Sequence, residues 1–255
     1  MKCKRAFSTW LAAALASSGL FLAATTAQAA PTPGVVAVSA APAHLLSASL
    51  SAAGGEAGVD WVGTSRVSGT SVTLTTKAGR HDGLQTITFR IGAKEGQVSI
   101  ILVRTTVYIQ GNVFGLEEYL GFSTSAAQKE AGHWLSIAEP DATLVTIFET
   151  VAAGLTVGTT VSELAMSGPM TETATKTVAG QHVVGIRGTT LPDSEVPSTP
   201  QVLYVKSTGE HLPVEAVQVL KSETSSEVLG PWGQAPQAHV PAGAVPFQVG
   251  WLTGH

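Results

Sequence analysis

Between Val59 and Gln110 apolar and polar residues alternate with a period of two, and turn-forming residues break the alternation every 8 to 14 positions. A pleated strand sends successive side chains to opposite faces, so this spacing predicts an antiparallel meander with strands at 59–67, 70–77, 84–91, 96–103 and 105–110. Turns are expected at Ser68-Gly69, at Arg80-His81-Asp82-Gly83 and at Lys94-Glu95-Gly96, where glycine supplies the backbone angles of tight hairpins. In the third strand Ile87, Phe89 and Ile91 share one face while Thr86, Thr88 and Arg90 share the other, the pattern of a half-exposed strand. The fourth differs. Val98, Ile100 and Leu102 form one apolar face, but Ile101 and Val103 make the opposite one apolar too, which predicts cover on both sides.

Helical spacing flanks and interrupts this pattern. A short Ala/Leu/Ser helix is expected from Pro42 to Ala52, with proline in its first turn. After the meander, Asn112 caps a short helix holding Val113, Leu116 and Leu120 inward, with Glu117 and Glu118 outward. Ser125-Ala126-Ala127-Gln128 has the spacing of a capping box, as does Thr160-Val161-Ser162-Glu163, which would turn Val161 and Leu164 inward. A brief strand falls at His133–Ile137. Asp141 is placed to cap a helix at 141–153 whose stripe Leu144, Ile147, Phe148 and Val151 recurs at i, i+3, i+4, i+7. From Met170 the period of two returns, with strands near 171–178, 181–189, 200–207 and 210–220 and turns at Ala179-Gly180 and Ser207-Thr208-Gly209. A run of strands interrupted once by helices predicts a single α+β domain with its helices gathered on one face of a large antiparallel sheet.

The first 29 residues stand apart. A basic start (Lys2, Lys4, Arg5), an apolar stretch from Trp10 to Ala24 and the small-residue site Ala27-Gln28-Ala29 are the marks of a cleaved export signal. The single cysteine, Cys3, lies in that leader, so the processed chain is expected to form no disulfide and no cysteine-ligated metal site. No cysteine follows the cleavage point for lipid attachment, and release rather than anchoring is the expectation. Residues 30–38 read as a flexible lead-in, 39–247 as the domain and 248–255 as a tail. Charged residues make up 13% of the chain and hydrophobic ones 44%, so apolar side chains exceed what a charged coat would enclose. Either Thr, Ser, Gly and Gln supply the polar surface, or an internal apolar cavity takes up the excess. A net charge of −4 without clustered Lys and Arg argues against a nucleic-acid partner. Beyond the leader no apolar run approaches the length of about 20 residues that spans a bilayer.

Catalytic motifs are scarce. The sequence holds no Gly-x-Ser-x-Gly, Ser-x-x-Lys, His-Glu-x-x-His or phosphate-cradling Gly-x-x-x-x-Gly-Lys. Its seven histidines (44, 81, 133, 182, 211, 239 and 255) show no metal-ligand spacing, and no cofactor is implied. A Ser/His/Asp triad assembled only in three dimensions stays open as a reading, since triads are defined by geometry. His133 and His211 read as solvent-facing strand-end residues, Asp60 and Asp82 as local backbone partners. Trp61, Trp134, Trp232 and Trp251 are core anchors or ligand contacts. The 144/147/148/151 stripe has the same two meanings: it closes a core or roofs an apolar cavity.

Certain blocks carry a family resemblance. Thr106-Val107-Tyr108-Ile109-Gln110-Gly111, then Ala126-Ala127-Gln128-Lys129-Glu130-Ala131-Gly132-His133-Trp134-Leu135-Ser136-Ile137, resemble the "VYVKG … A…AGKWV.V" block of the actinobacterial LppX/LprG-type lipid-carrier proteins. Gln201–Val205 through Gly209 to Leu212-Pro213-Val214 is similar to that family's closing hairpin, and Leu229-Gly230-Pro231-Trp232-Gly233 with Pro241 to its terminal "F..WG … P" strand. Together these pieces cover most of residues 40 to 245. The resemblance implies a strongly bent antiparallel sheet, a half-barrel with helices over its concave face and an apolar cavity between, the architecture also of LolA, LolB and the RseB sensor domain. The chain departs from the family in lacking the lipidation cysteine.

The expected function is therefore non-enzymatic binding or transport of a lipid or other apolar small molecule. Candidate lining residues are Ile87, Phe89, Ile91, Val98, Ile100 and Leu102 from the sheet and Leu144, Ile147, Phe148 and Val151 from the roof. A secreted sensor or interaction module with a packed concave face, meeting another cell-envelope protein, is the alternative, and an exported hydrolase is a third. N-terminal sequencing of exported protein recovered without detergent is expected to begin at Ala30; an acylated form that partitions into detergent would contradict the reading of the leader.

Overall fold

Four ten-residue strands, β1 (Gly58–Val67), β2 (Thr70–Gly79), β3 (Asp82–Ile91) and β4 (Lys94–Val103), pair antiparallel in sequence order, as the alternation demands. The computed structural model describes residues 41–67, 69–138, 144–191, 198–220 and 223–253; the leader, the lead-in and Asp141 lie outside the described residues. β5 (Thr106–Gly111) and β6 (Leu135–Ala138) extend this meander. A second meander runs through β9 (Gln181–Thr190), β10 (Pro200–Lys206), β11 (Pro213–Leu220) and β12 (Glu223–Trp232), with β7 (Met166–Glu172) and the short β8 (Lys176–Val178) both on β9. β1 and β12 join the two meanders antiparallel, and β13 (Val245–Pro246) adds to β6 in parallel. The result is one open sheet in the order β13-β6-β5-β4-β3-β2-β1-β12-β11-β10-β9-β7. With the helices on its concave face, it is an α+β half-barrel.

Five helices complete the described chain. α1 (Ala41–Gly55) precedes the sheet; α2 (Val113–Gly115), which continues as a π-turn over Leu116–Leu120, and α3 (Thr124–Glu130) lie between β5 and β6; α4 (Val145–Ala152) and α5 (Val157–Glu163) lie between β6 and β7. α1 packs on α5, β7 and β11, α4 touches β5, and α5 touches β2, so the helices cover one face of the sheet. Their apolar sides and the inner sheet positions form one core running from Leu46 of α1 through Ile87, Ile100 and Leu135 to Leu155, Ile186 and Leu203. The 3₁₀ turn Val249–Trp251 docks here too: Trp251 packs on Phe122 and Phe247 with ring centroids 5.7 Å away from each, and the Thr253 amide donates to the Gly121 carbonyl at 2.8 Å. The segment expected as a tail is thus seated on the domain by aromatic burial.

Several local expectations shift. The β3–β4 turn is Gly92-Ala93, with Gly92 at φ +60°, and Lys94-Glu95-Gly96 lie inside β4, where Glu95 pairs with Arg90 across the hairpin at 2.6 Å. A glycine able to take the left-handed angle outcompetes the lysine two residues later. Asn112 caps α2 as expected, accepting from the Gly115 amide at 2.6 Å. α3 is capped by Ser123 rather than Ser125, because the left-handed Gly121 ends the preceding turn and leaves Ser123 extended. α5 is capped by Thr156, whose hydroxyl accepts from the Thr159 amide while its own amide donates to the Thr159 hydroxyl, each at 3.2 Å. The expected box at Thr160–Glu163 lies in the body of that helix. The strand expected at 171–178 divides into β7 and β8, and the one expected at 210–220 begins at Pro213.

Gly96 faces Phe89, and a Cβ there would overlap the ring. Gly96→Ala is expected to destabilise the fold by about 1–3 kcal/mol, seen as a lower urea midpoint at unchanged slope.

Candidate ligand-binding face

Strand parity brings together the residues that the sequence singled out. Ile87 and Phe89 of β3 and Val98, Ile100 and Leu102 of β4 point to the covered face and are buried; Ile91, at the hairpin end, is half-buried. From the other side Leu144, Phe148 and Val151 are buried and Ile147 half-buried, and all ten belong to one apolar assembly. On the opposite face of β4, Ile101 and Val103 are half-buried. Phe89 is held between Gly96 and Phe114 of α2, whose ring centroid is 5.8 Å away.

Two meanders meeting at β1 and β12 create a second region that the sequence did not announce. Across this seam Trp61 opposes Leu229, Gly63 opposes Glu227 and Ser65 opposes Ser225. The absence of a side chain at Gly63 lets the Trp61 ring and the Glu227 stem close over it: a Cβ there would lie 3.1 Å from Trp61 Cζ3 and 3.5 Å from Glu227 Cγ. Glu163, the last residue of α5, comes down from above. Further polar groups continue the strip, and several find partners: Gln85 donates to Thr76 at 2.9 Å and Gln218 to Gln201 at 3.1 Å.

Two seam atoms have none. The Trp61 indole N–H and Glu163 Oε1 are enclosed without a hydrogen-bond partner, although Trp61 is only 6% exposed. Trp232, by contrast, donates its indole N–H to the Pro213 carbonyl at 2.8 Å. Glu163 and Glu227 are half-buried as residues, but their carboxyl ends sit inside. Desolvation, with repulsion from Glu227 behind it, pushes the Glu163 carboxyl well above its ordinary range, and desolvation pushes Glu227 up to about 7. Among the described residues neither carboxyl pairs with a lysine or arginine.

The other singled-out polar residues have structural partners. Asp82 accepts from the Arg104 amide at 2.9 Å, and Asp60 pairs with Lys77 at 3.3 Å. His133 is exposed beside Glu130, and His211 lies with Nδ1 2.8 Å from the Lys206 carbonyl. Among the described residues no histidine pairs with both a hydroxyl and a carboxylate, and no group of three His, Cys, Asp or Glu side chains is placed to hold a metal.

No protein-family model matches the chain, nor does any curated protein sequence. Solved structures share its fold, two of them over most of the chain. The lipoprotein LppX of Mycobacterium tuberculosis aligns over 78% of this chain and 98% of its own, at 14% identity and a TM-score of 0.50. LprF of Mycobacterium bovis aligns over 80% and 99%, at 15% identity and a TM-score of 0.53. Among the described residues no helix is long and apolar enough to cross a membrane. The resemblance in the sequence blocks thus corresponds to a shared half-barrel, the LppX and LprF fold.

The carboxyl pair sets a pH dependence. Both carboxyls titrate higher in the folded chain than their ordinary value of 4.5, so folding holds protons that the unfolded chain releases. Their favourable contribution is complete below about pH 4.5 and is lost as the pH rises through about 7 for Glu227 and through the raised range of Glu163. Urea midpoints measured from about pH 4 to about 8 should fall with pH, and Glu227→Gln should flatten the part of that fall near neutrality.

Proposed function

We propose that this protein is exported and binds a lipid or other apolar small molecule, without catalysis, between the concave face of the sheet and the helices over it. The observation that carries this reading is the convergence of Ile87, Phe89, Val98, Ile100 and Leu102 with Leu144, Phe148 and Val151 on one covered face of a half-barrel shared with the lipoprotein LppX and with LprF. Association would draw on apolar burial, at about 25 cal/mol per Å² removed from water. α4 acts as a roof over an apolar cavity, with Ile91 and Ile147, the two half-buried members, at its margin. Mass spectrometry of organic extracts from purified protein identifies a co-purifying molecule.

The close seating of Phe89 between Gly96 and Phe114 favours a second reading, in which the concave face is packed and the protein meets another envelope protein as a sensor or interaction module. Phe148 separates the two. Beneath a roof over a cavity, Phe148→Ala should cost well under the roughly 3 to 5 kcal/mol typical of a close-packed phenylalanine and should leave binding of a fluorescent fatty acid measurable. A urea-derived loss above about 3 kcal/mol in delipidated protein would instead favour the packed module.

A further inference from the structure

The seam holds two unmet hydrogen-bonding demands of opposite sense. The indole N–H of Trp61 can only donate, so it requires an acceptor; Glu163 Oε1 has no donor. Enclosed polar atoms are nearly always paired, and leaving one unpaired costs about 1–3 kcal/mol. Both demands lie beside Gly154, which takes φ +70°. A Cβ built on Gly154 would stand 3.4 Å from Trp61 Cζ2, on the N–H side of the ring, and 3.9 Å from each Glu163 carboxyl oxygen, so the indole and the carboxyl approach the same point of the chain.

The row leading away from this point is apolar. Glu227 opposes Gly63, Gly63 opposes Leu74, Leu74 opposes Ile87 and Ile87 opposes Val98, a line running straight across the strands from the carboxyl pair into the candidate face. Four strand spacings make about 19 Å, the reach of an extended chain of roughly fifteen carbons.

We propose that Trp61, Glu163 and Glu227 form a polar seat for the hydroxyl group of an uncharged long-chain alcohol whose chain lies along this apolar row, an assignment that rests on the reading of the concave face as a site for apolar ligands. A hydroxyl accepts from the indole and donates to the carboxyl at once. An ammonium group has no acceptor for the indole. An ether has no donor for the carboxyl. A carboxylate also has no donor, and it would meet the Glu163 and Glu227 pair with no lysine or arginine bonded to either. Burial makes both carboxyls reluctant to ionise, which is consistent with an uncharged occupant.

The test is displacement of the neutral probe N-phenylnaphthylamine from delipidated full-length protein near neutral pH by four molecules of one chain length: tetradecanol, tetradecanoate, tetradecylammonium and methyl tetradecyl ether. Tetradecanol is expected to bind at least about tenfold more tightly than the other three, the value of one net hydrogen bond. With unchanged circular dichroism, the preference over the ether should fall to about twofold or less in Glu163→Leu, and the preference over tetradecylammonium should fall likewise in Trp61→Phe. Should Trp61→Phe fail to fold, the Trp61 indole N–H resonance of the unaltered protein gives the same answer, shifting with tetradecanol and holding still with tetradecylammonium. Equal binding of all four, or a preference for tetradecanoate, would overturn the seat and leave the apolar-ligand reading standing. Failure of all four to displace the probe would overturn both.

Discussion

The pairing of β1 with β12 is the interaction on which the other features depend. Each meander is built from neighbouring hairpins, but their union joins a strand near the start of the domain to one near its end, so it is the contact of highest sequence separation in the sheet. Without it each meander would present an unpaired edge and half an apolar face, and the helices between β6 and β7 would have no common surface to cover. Once it forms, α5 packs on β2 beside the seam and α1 packs on α5, which carries the cover from one meander to the other. The same pairing sets Gly63 against Glu227 and so fixes where the Trp61 ring lies.

Desolvated carboxyls at that seam run against stability. Glu163 and Glu227 face the same interior without a bonded cation, and each resists ionisation because the charged form has lost its water. A core that needed only to be solid would be served better by apolar residues of similar volume, as the rest of this face is. Local rules of packing and polar satisfaction are met over β3, β4 and α4 and broken at the seam, where two unpartnered atoms of opposite sense lie together, and such a breach is where function is expected to reside.

Legibility in the sequence followed the same division. Residues 84–103 alternate cleanly because one face of each strand is covered, and the inner set Ile87, Phe89, Val98, Ile100 and Leu102 could be read by parity alone. The stripe 144/147/148/151 was equally plain, since three of its four residues are buried. β12 was hidden from periodicity because Ser225, Ser226 and Glu227 are polar on both faces of the strand; only the Leu229–Gly233 block, through its family resemblance, hinted at it. Glu163 suited a capping box, and nothing local distinguishes a carboxyl that returns to its own helix start from one that enters the interior. What decides is the extended backbone of Thr156 after the left-handed Gly154, which moves the helix start forward and puts Glu163 at its end. Extending the parity of β1 inward from Trp61 would have found Gly63 and Ser65, but their partners across the seam depend on a register that only the assembled sheet supplies.

The separation of apolar wall and polar seam also bears on selectivity. Burial against Ile87, Phe89, Val98 and Ile100 is non-directional and grows with chain length, so the wall supplies affinity and ranks ligands only coarsely. Discrimination between molecules of equal length has to come from groups with direction, and at the seam the Trp61 N–H and Glu163 Oε1 are unpartnered. Because one donates and the other belongs to a carboxyl that burial makes reluctant to ionise, the seam opposes like charge while still accepting a group that can give and take a hydrogen bond. Gly154 lies at the point that both groups approach: a side chain there would meet the indole ring and the carboxyl, and its left-handed backbone disfavours any residue that carries one. The turn that ends α4, caps α5 and orients Glu163 is therefore the same turn that brings the carboxyl to the indole.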